Sequence, residues 1–194
     1  MITCYRIELV TVDLHITTIV DFLNTLNLTT GLDVIADPFR LSDWLQRKSL
    51  HSERTPSIQD VAWAIDFREA LRDLVSGNSG GAPSSAAVEI VDRAARAASL
   101  GLRFHQGGAA TLDPLGSGLE GAVTSVLVAM HTAMADGAWS RIKICKNPAC
   151  FRAFYDRSRN RSGIWCEMAA CGNRMKARRF RQRRREREGA KDRP

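Results

Sequence analysis

Four cysteines near the C-terminus have the residue type and the spacing of a metal site. They form two pairs with four residues inside each pair and fifteen between the pairs: Cys145, Cys150, Cys166 and Cys171. A structural zinc ion takes four tetrahedral ligands, and two short-spaced pairs separated by a hairpin-length insert supply them. A redox dithiol favours C-x-x-C, which is absent, and iron–sulfur spacings differ. We expect one structural Zn²⁺ per chain, with a filled coordination sphere and no chemistry of its own.

The other residues that could do chemistry are scattered. Cys4 stands alone, and we expect it to be a small buried apolar residue. The four histidines have no Ser, Cys or carboxylate partner at an informative spacing. We therefore predict no catalytic residues and a protein that is not an enzyme. Because active sites assemble in space, an enzyme with its site in the N-terminal part remains an alternative.

A strongly basic segment starts directly after the last cysteine. Residues 174–194 contain eleven Lys/Arg and three Asp/Glu, and arginines outnumber lysines nine to two. Arginine suits phosphate and guanine recognition. The segment is rich in good helix formers, and Asn173 is a favoured helix cap. We expect the zinc site to fix the start of a basic helix that would be unstable alone.

The spacing of the basic residues predicts how this helix would contact a nucleic acid. Arg174, Arg178 and Arg181 recur on one helical face, which would read bases in the major groove. The remaining cations would neutralise phosphates: Lys176, Arg179, Arg183, Arg184 and Arg185. Ala177 and Phe180 form a narrow apolar stripe that we expect to pack on the rest of the protein. The alternative is a solvated tail that aids solubility.

Charge divides the chain into two parts. Residues 141–194 carry 18 Lys/Arg against 5 Asp/Glu, whereas residues 1–140 carry 10 against 16. The basic end predicts a polyanionic partner, which we expect to be a nucleic acid: duplex DNA or, alternatively, RNA or the ribosome. An anionic membrane surface is less expected. No apolar run approaches ~20 residues, and the N-terminus has no secretory signature, so we expect a cytoplasmic, nucleoid-associated protein without a membrane span.

The body that precedes the cysteines is predicted to be mainly helical. "DP" at 37–38 and "TPS" at 55–57 are helix starts, and Leu119 to Met134 follow a helical period. Gly107 and Gly108 predict a β-hairpin, and residues 3–14 weakly predict strands. Trp44 and Trp63 lie at helical spacing among aliphatic residues, which predicts core packing rather than ligand stacking.

These observations define a mainly α fold in two domains. Residues 1–138 are predicted to form a helical domain with a small β-hairpin, and residues 139–194 a treble-clef-like zinc finger that ends in a basic helix. We expect the N-terminal domain to have its own core and to act in sensing or oligomerisation, with a homodimer as one possibility.

The C-terminal and N-terminal segments resemble two known families. "CKNPACFRAFYDRSRN" followed by "WCEMAACGNRMKARRFRQRRR" resembles the CGNR zinc finger, named for the tetrapeptide at 171–174. "DFLNTL", "LSDWL" and "FREALRDLV", beginning at 21, 41 and 67, resemble the ABATE domain that precedes this finger in bacteria. The resemblance implies a stress-induced transcription regulator whose finger binds DNA. It implies the same four zinc ligands.

Two features of this resemblance leave questions open. Family members tend to have two arginines just before the Trp-Cys pair, where this chain has Gly163 and Ile164, which would remove phosphate contacts there. In "DFLNT", Asp21, Asn24 and Thr25 could line a small polar ligand site. The more expected role is to satisfy backbone groups at a helix end. The target DNA, the inducing signal and the choice between activation and repression stay open.

Overall fold

The computed structural model describes residues 14–50 and 54–191 of the chain. Within them, six α-helices and three antiparallel two-stranded hairpins confirm the mainly α prediction. In chain order the elements are α1 (14–23), β1 (Leu26–Asn27), β2 (Leu32–Asp33), α2 (Pro38–Arg47), α3 (Ile58–Gly77), α4 (Ser85–Ala97), β3 (Leu100–Phe104), β4 (Ala110–Pro114), α5 (Gly118–Ala135), β5 (Ile142–Ile144), β6 (Ala153–Tyr155) and α6 (Asn173–Lys191).

Two of the predicted helix starts are capped by side chains. The Asp37 carboxylate accepts a hydrogen bond from the Arg40 amide at 2.9 Å, and Pro38 occupies the first turn of α2. At α3 the cap is Ser57, which forms a reciprocal capping box with Asp60. Pro56 therefore precedes this cap and does not begin the helix.

Aromatic side chains of α1, α2 and α3 form the centre of the body. The ring of Phe22 lies 5.7 Å from the rings of both Trp44 and Phe67. Trp63 is half-buried and stacks on Phe67 at 6.3 Å. Both tryptophans are thus packing residues, as their helical spacing predicted.

The hydrophobic core continues into the cysteine-rich segment. Ile142 and Ile144 of β5 and Ala153 of β6 are buried in the same cluster as the helices of the body. Strand β5 pairs with β6 in the register Ile142↔Tyr155 and Ile144↔Ala153. Two strands that flank the first cysteine pair therefore take part in the core of the body.

The hairpin predicted around the glycine pair is present. Phe104 of β3 pairs with Ala110 of β4, and Gly107 and Gly108 have φ angles of 109° and 84° in the turn. Most of the strand prediction for residues 3–14, and the burial of Cys4, fall outside the described residues, while residue 14 is helical. Among the described helices, none has the length and apolar character needed to cross a membrane.

Candidate metal centre and basic helix

The structure brings the four predicted metal ligands together. All four sulfurs lie within 4.8 Å of one another, with Cys150 Sγ 3.7 Å from Cys166 Sγ and Cys166 Sγ 3.8 Å from Cys171 Sγ. These cysteines are free thiols. Zn–S bonds of about 2.3 Å in a tetrahedron place the sulfurs roughly 3.8 Å apart. The cluster therefore has the dimensions that one tetrahedral, thiolate-bound ion requires.

The first pair lies on a knuckle between β5 and β6. The Cys145 amide donates to the Arg152 carbonyl at 2.9 Å, and the Cys150 amide donates to the Asn147 carbonyl at 2.8 Å. Asn147 is buried, and its side chain accepts from the Ala149 amide at 3.2 Å while donating to Cys171 Sγ at 3.3 Å. Asn-Pro at 147–148 is a turn signal in the sequence, whereas the hydrogen bond from Asn147 to Cys171 depends on the fold.

The second pair lies at the start of the basic helix. Cys171 sits in a π-helical turn, Met168–Gly172, that runs directly into α6. Gly172 is buried, and a Cβ there would come within 3.1 Å of Trp165 Cδ1 and would overlap the Met168 sulfur. This close approach explains the glycine of the tetrapeptide. Asn173, predicted to cap the helix, has helical angles of φ −65° and ψ −38° and lies within continuous helical backbone.

The thiols have unequal electrostatic surroundings. Burial raises the pKa of Cys166, and the facing sulfurs of Cys150 and Cys145 raise it further. Burial also raises the pKa of Cys150. At Cys171 burial acts in the same direction, but hydrogen bonds from Asn147 and the other thiols lower its pKa below the usual value. Four thiolates this close together require a cation to offset their mutual repulsion.

A buried ion pair anchors the loop that leads to the second cysteine pair. Lys143 Nζ lies 2.7 Å from Asp156 Oδ2, with side-chain exposures of 8% and 3%. Asp156 also accepts from the amides of Ser158 at 3.0 Å and Gly163 at 2.8 Å. A Cβ on Gly163 would approach Asp156 Oδ1 to 2.6 Å. Gly163 occupies a position where the resemblance led us to expect arginine. The carboxylate of Asp156 leaves no space for a side chain at this position.

The hairpin of the cysteine region differs from the one expected. The insert between Cys150 and Cys166 contributes one strand, β6, and β6 pairs with β5, which precedes Cys145. The return segment bonds to the knuckle through Lys146, whose amide donates to the Ile164 carbonyl at 3.0 Å. The knuckle is therefore the turn of the β5–β6 hairpin.

Helix α6 presents its basic residues to solvent. All eight residues predicted to contact nucleic acid are exposed: Arg174, Lys176, Arg178, Arg179, Arg181, Arg183, Arg184 and Arg185. Ala177 is also exposed, and Phe180 is 62% exposed. The prediction that these two residues pack on the protein is wrong. Among the described elements, α6 makes extensive contact only with the π-helical turn from which it starts.

A cleft of about 310 Å³ lies beside the metal ligands. Cys150, Cys166 and Cys171 line it on one side, and Asn27 and Thr30 of the body line it on the other. Arg152 and Arg174 also line this cleft, which adds a cation outside α6 to the positive surface at the helix start. The sequence alone does not indicate this role for Arg152, because its position on the cleft depends on the fold of the knuckle.

The "DFLNT" residues attach the body to the cysteine-rich hairpin. The Asn24 side chain accepts from the Ala153 amide at 2.8 Å and donates to the Ala153 carbonyl at 3.0 Å. Thr25 Oγ1 donates to the Phe22 carbonyl at 2.8 Å, and Asp21 pairs with Lys48 at 2.6 Å. These contacts support the structural role.

Two arginines of "FREALRDLV" are buried in the body, and one of them, Arg72, extends the same connection. Arg72 is buried and donates to the Leu23 carbonyl at 2.5 Å and to the Phe151 carbonyl at 2.7 Å. Arg68 is buried and pairs with Asp33 at 2.9 Å. Phe151 follows Cys150 and has a φ of 50°, a left-handed angle that is uncommon for an aromatic residue. Arg72 thus holds the knuckle in an unusual backbone conformation.

Replacing Asn24 with alanine is expected to destabilise the protein far more than removing the nearby Asp21 charge. Asn24→Ala leaves the Ala153 amide and carbonyl without their partners, at a cost of about 1–3 kcal/mol for each group that stays unsatisfied. Asp21→Asn breaks only an exposed ion pair, whose loss costs roughly 0–1 kcal/mol. Urea unfolding of the two variants measures the difference. Equal losses would show that Asn24 does not connect the two regions.

Two family models match the chain, one in the cysteine-rich segment and one in the body. The family model described as "CGNR zinc finger" matches residues 141–184. The model named ABATE, described as "Putative stress-induced transcription regulator", matches residues 17–138. No curated protein matches the chain significantly. The residues that contain the cysteine cluster and most of α6 are thus similar to zinc fingers, and the helical body is similar to a family of regulators.

Proposed function

Because the chain belongs to the ABATE family and carries a CGNR zinc finger, we propose that it is a zinc-dependent, DNA-binding transcription regulator. One observation carries the proposal: a cluster of four thiols sits at the start of an exposed helix whose side chains are mostly cationic. The cluster holds the helix start in place, and the helix supplies the surface for a polyanion. The proposal gives no residue a catalytic role.

Cys145, Cys150, Cys166 and Cys171 would hold one Zn²⁺ as a structural ion. The sulfur separations fit tetrahedral zinc, and four protein ligands leave no open position for substrate or water. Bound zinc would offset the charge of the thiolates and join the knuckle to the π-helical turn. This joint sets the direction in which α6 leaves the protein.

The dimensions and charge of α6 suit the major groove of duplex DNA. Its 19 residues extend for roughly 28 Å at 1.5 Å per residue. Arg174, Arg178 and Arg181 lie on one face of the helix and would contact base edges. The phosphate contacts would come from the other exposed cations: Lys176, Arg179, Arg183, Arg184 and Arg185.

The helical body would set the position of the finger and receive a signal or a partner subunit. Asn24 and Arg72 bond the body to backbone groups of the β5–β6 hairpin, so a change in the body can reach the knuckle. A regulator that acts on DNA in this way would be cytoplasmic and associated with the nucleoid.

The proposal predicts different losses for two arginines of α6. Arg183→Ala removes a phosphate contact, so it should weaken binding to every duplex and lower the log–log salt slope by about one. Arg178→Ala removes a base contact, so it should cost about 1–3 kcal/mol, mainly on the preferred site. With five to seven phosphate contacts the wild-type slope would be about −4.5 to −6. Titrations on preferred and random duplexes at several salt concentrations measure both effects.

The two variants also distinguish the proposal from a solvated tail. Both replaced arginines are exposed and lie on the same helix, so each variant serves as the structural control for the other. If both variants bind every duplex as the wild type does, α6 does not contact DNA and the proposal fails.

A further inference from the structure

One face of the β3–β4 hairpin is apolar from end to end. Residues that pair across an antiparallel ladder point to the same face, and alternate residues of a strand share it. The ladder therefore places six apolar side chains together: Leu100 opposite Pro114, Leu102 opposite Leu112 and Phe104 opposite Ala110. The opposite face carries Gly101, Arg103, Thr111 and Asp113.

The apolar face is open to solvent. Phe104 is 74% exposed, Leu102 65% and Leu100 44%, while Ala110 and Pro114 are exposed and Leu112 is half-buried. Together these fractions correspond to roughly 500 Å² of apolar surface, near the upper end of the largest patch on a typical monomer. A two-stranded hairpin is marginally stable on its own, so a partner that covers this face would also stabilise the fold.

The polar groups of the hairpin already have partners within it. Arg103 Nε bonds to the Asp113 carboxylate, and the His105 ring is 2.9 Å from Thr111 Oγ1. The apolar face carries no charged side chain. A charged or strongly polar ligand therefore has nothing to contact there, whereas another apolar surface has.

We propose that this face is the dimerisation surface and that its partner is the same face of a second copy of the chain. An apolar face that contains no charge is complementary to itself under a two-fold rotation, as an isologous interface requires. Two copies packed face to face would remove roughly 1,000 Å² from solvent, the lower limit for a specific interface. Because this area is at the lower limit, we expect a weak, reversible dimer.

The distribution of charge favours contact through the body. Residues 141–194 carry a net charge of +13, so two copies repel each other at their basic ends. Residues 1–140 carry a net charge of −6. Within the hairpin, the charges of Arg103 and Asp113 pair with each other. Contact at the hairpin keeps the two ends of charge +13 outside the interface, and the smaller charge of −6 on each body opposes association less than those ends would.

Sedimentation velocity of the full chain, in reducing buffer and free of nucleic acid, tests the proposal. The wild type is expected to pass from monomer to dimer between about 1 and 100 μM. The double variant Leu102→Glu/Phe104→Glu is expected to weaken dimerisation at least about tenfold, because it buries carboxylates in the interface. Its circular dichroism should match the wild type, since both replaced side chains are exposed.

A matched control replaces an exposed phenylalanine outside the hairpin, Phe180 of the basic helix α6. Phe180→Glu introduces one glutamate on α6, and this variant is expected to dimerise as the wild type does. A wild type that stays monomeric up to about 100 μM would overturn the proposal. Unchanged dimerisation of the double variant would overturn it as well, because the dimer would then use another surface.

Discussion

Replacing Cys166 with serine is expected to remove the zinc ion and to unfold the start of α6. Structural zinc in finger peptides contributes roughly 10–16 kcal/mol of apparent binding free energy, which exceeds the stability of most whole domains. Most helices in proteins are stabilised by tertiary packing, which α6 largely lacks beyond the π-helical turn, and its cations repel one another. Strands β5 and β6 should persist, because Ile142, Ile144 and Ala153 are buried in the body core.

Metal analysis and circular dichroism of the same samples measure this effect. Wild-type protein purified without chelator should contain one zinc per chain, and Cys166→Ser should contain none and lose part of its helical signal. Cys4→Ser is the matched control, since it removes a thiol that is not one of the four clustered ligands and should keep the zinc. A wild type without zinc, or a Cys166→Ser variant with a full equivalent, would contradict the assignment.

Replacing Asp156 with asparagine is expected to produce the second largest loss of stability. Breaking a buried ion pair by removing one partner costs about 3–5 kcal/mol, because the remaining charge is left uncompensated. Both carboxylate oxygens of Asp156 accept hydrogen bonds from donors, so the amide group of asparagine would place a donor against a donor. The loop to Cys166 would lose its anchor at the same time.

The contribution of Asp156 should depend on pH. Burial alone would raise the pKa of its carboxyl group, but hydrogen bonds from Lys143, Ser158 and Gly163 lower it well below the usual range. A carboxyl group whose pKa is lower in the folded state stabilises the protein above its unfolded pKa of about 3.9. The stability difference between wild type and Asp156→Asn should therefore be full at neutral pH and shrink as the pH falls below about 4.

The control for this prediction is an exposed ion pair. Asp92 pairs with Arg96 one helical turn away, with side-chain exposures of 56% and 80%. Asp92→Asn should cost only about 0.3–0.5 kcal/mol at neutral pH. Urea unfolding of both variants across pH distinguishes the two sites, and similar small losses would show that the Lys143–Asp156 pair does not anchor the loop.

Local signals predicted the elements and the metal ligands. Asp37–Pro38 and Gly107–Gly108 are local determinants of a helix start and of a turn, and both features are present in the structure. The four cysteines were identified because metal coordination restricts ligand type and spacing. The charge of α6 was also evident from the sequence, since no tertiary contact is needed to count it.

Long-range bonds account for what the sequence did not reveal. Leu26 continues the helical spacing of α1, yet the helix ends at residue 23 and Leu26 lies in β1. Asn24, just after the helix, bonds to Ala153, which lies 129 residues away. Arg72 and Phe151 are 79 residues apart. Neither hydrophobic periodicity nor a capping residue can indicate hydrogen bonds between residues so far apart in the chain. The bonds between the body and the finger could therefore be identified only from the structure.

Phe180 is a case in which the sequence predicted a packing contact that the structure does not have. Its apolar character and its spacing from Ala177 predicted burial, but helix α6 leaves the protein without a neighbouring surface to cover it. Sequence patterning reports which face of a helix could be buried and does not report whether a partner is present. Exposure of Phe180 leaves the side of α6 that carries it open to solvent as well.

The most direct test of the account is a binding competition on zinc-loaded protein. A fluorescent duplex selected from a random library is bound to the full chain and then displaced by unlabelled duplex DNA or by structured RNA. We predict that the selected duplex displaces the probe at a concentration at least about tenfold lower than random duplex or RNA, and that Cys166→Ser shows no such preference. RNA that displaces the probe as well as the selected duplex, or a preference that survives in Cys166→Ser, would contradict a zinc-positioned helix that reads DNA.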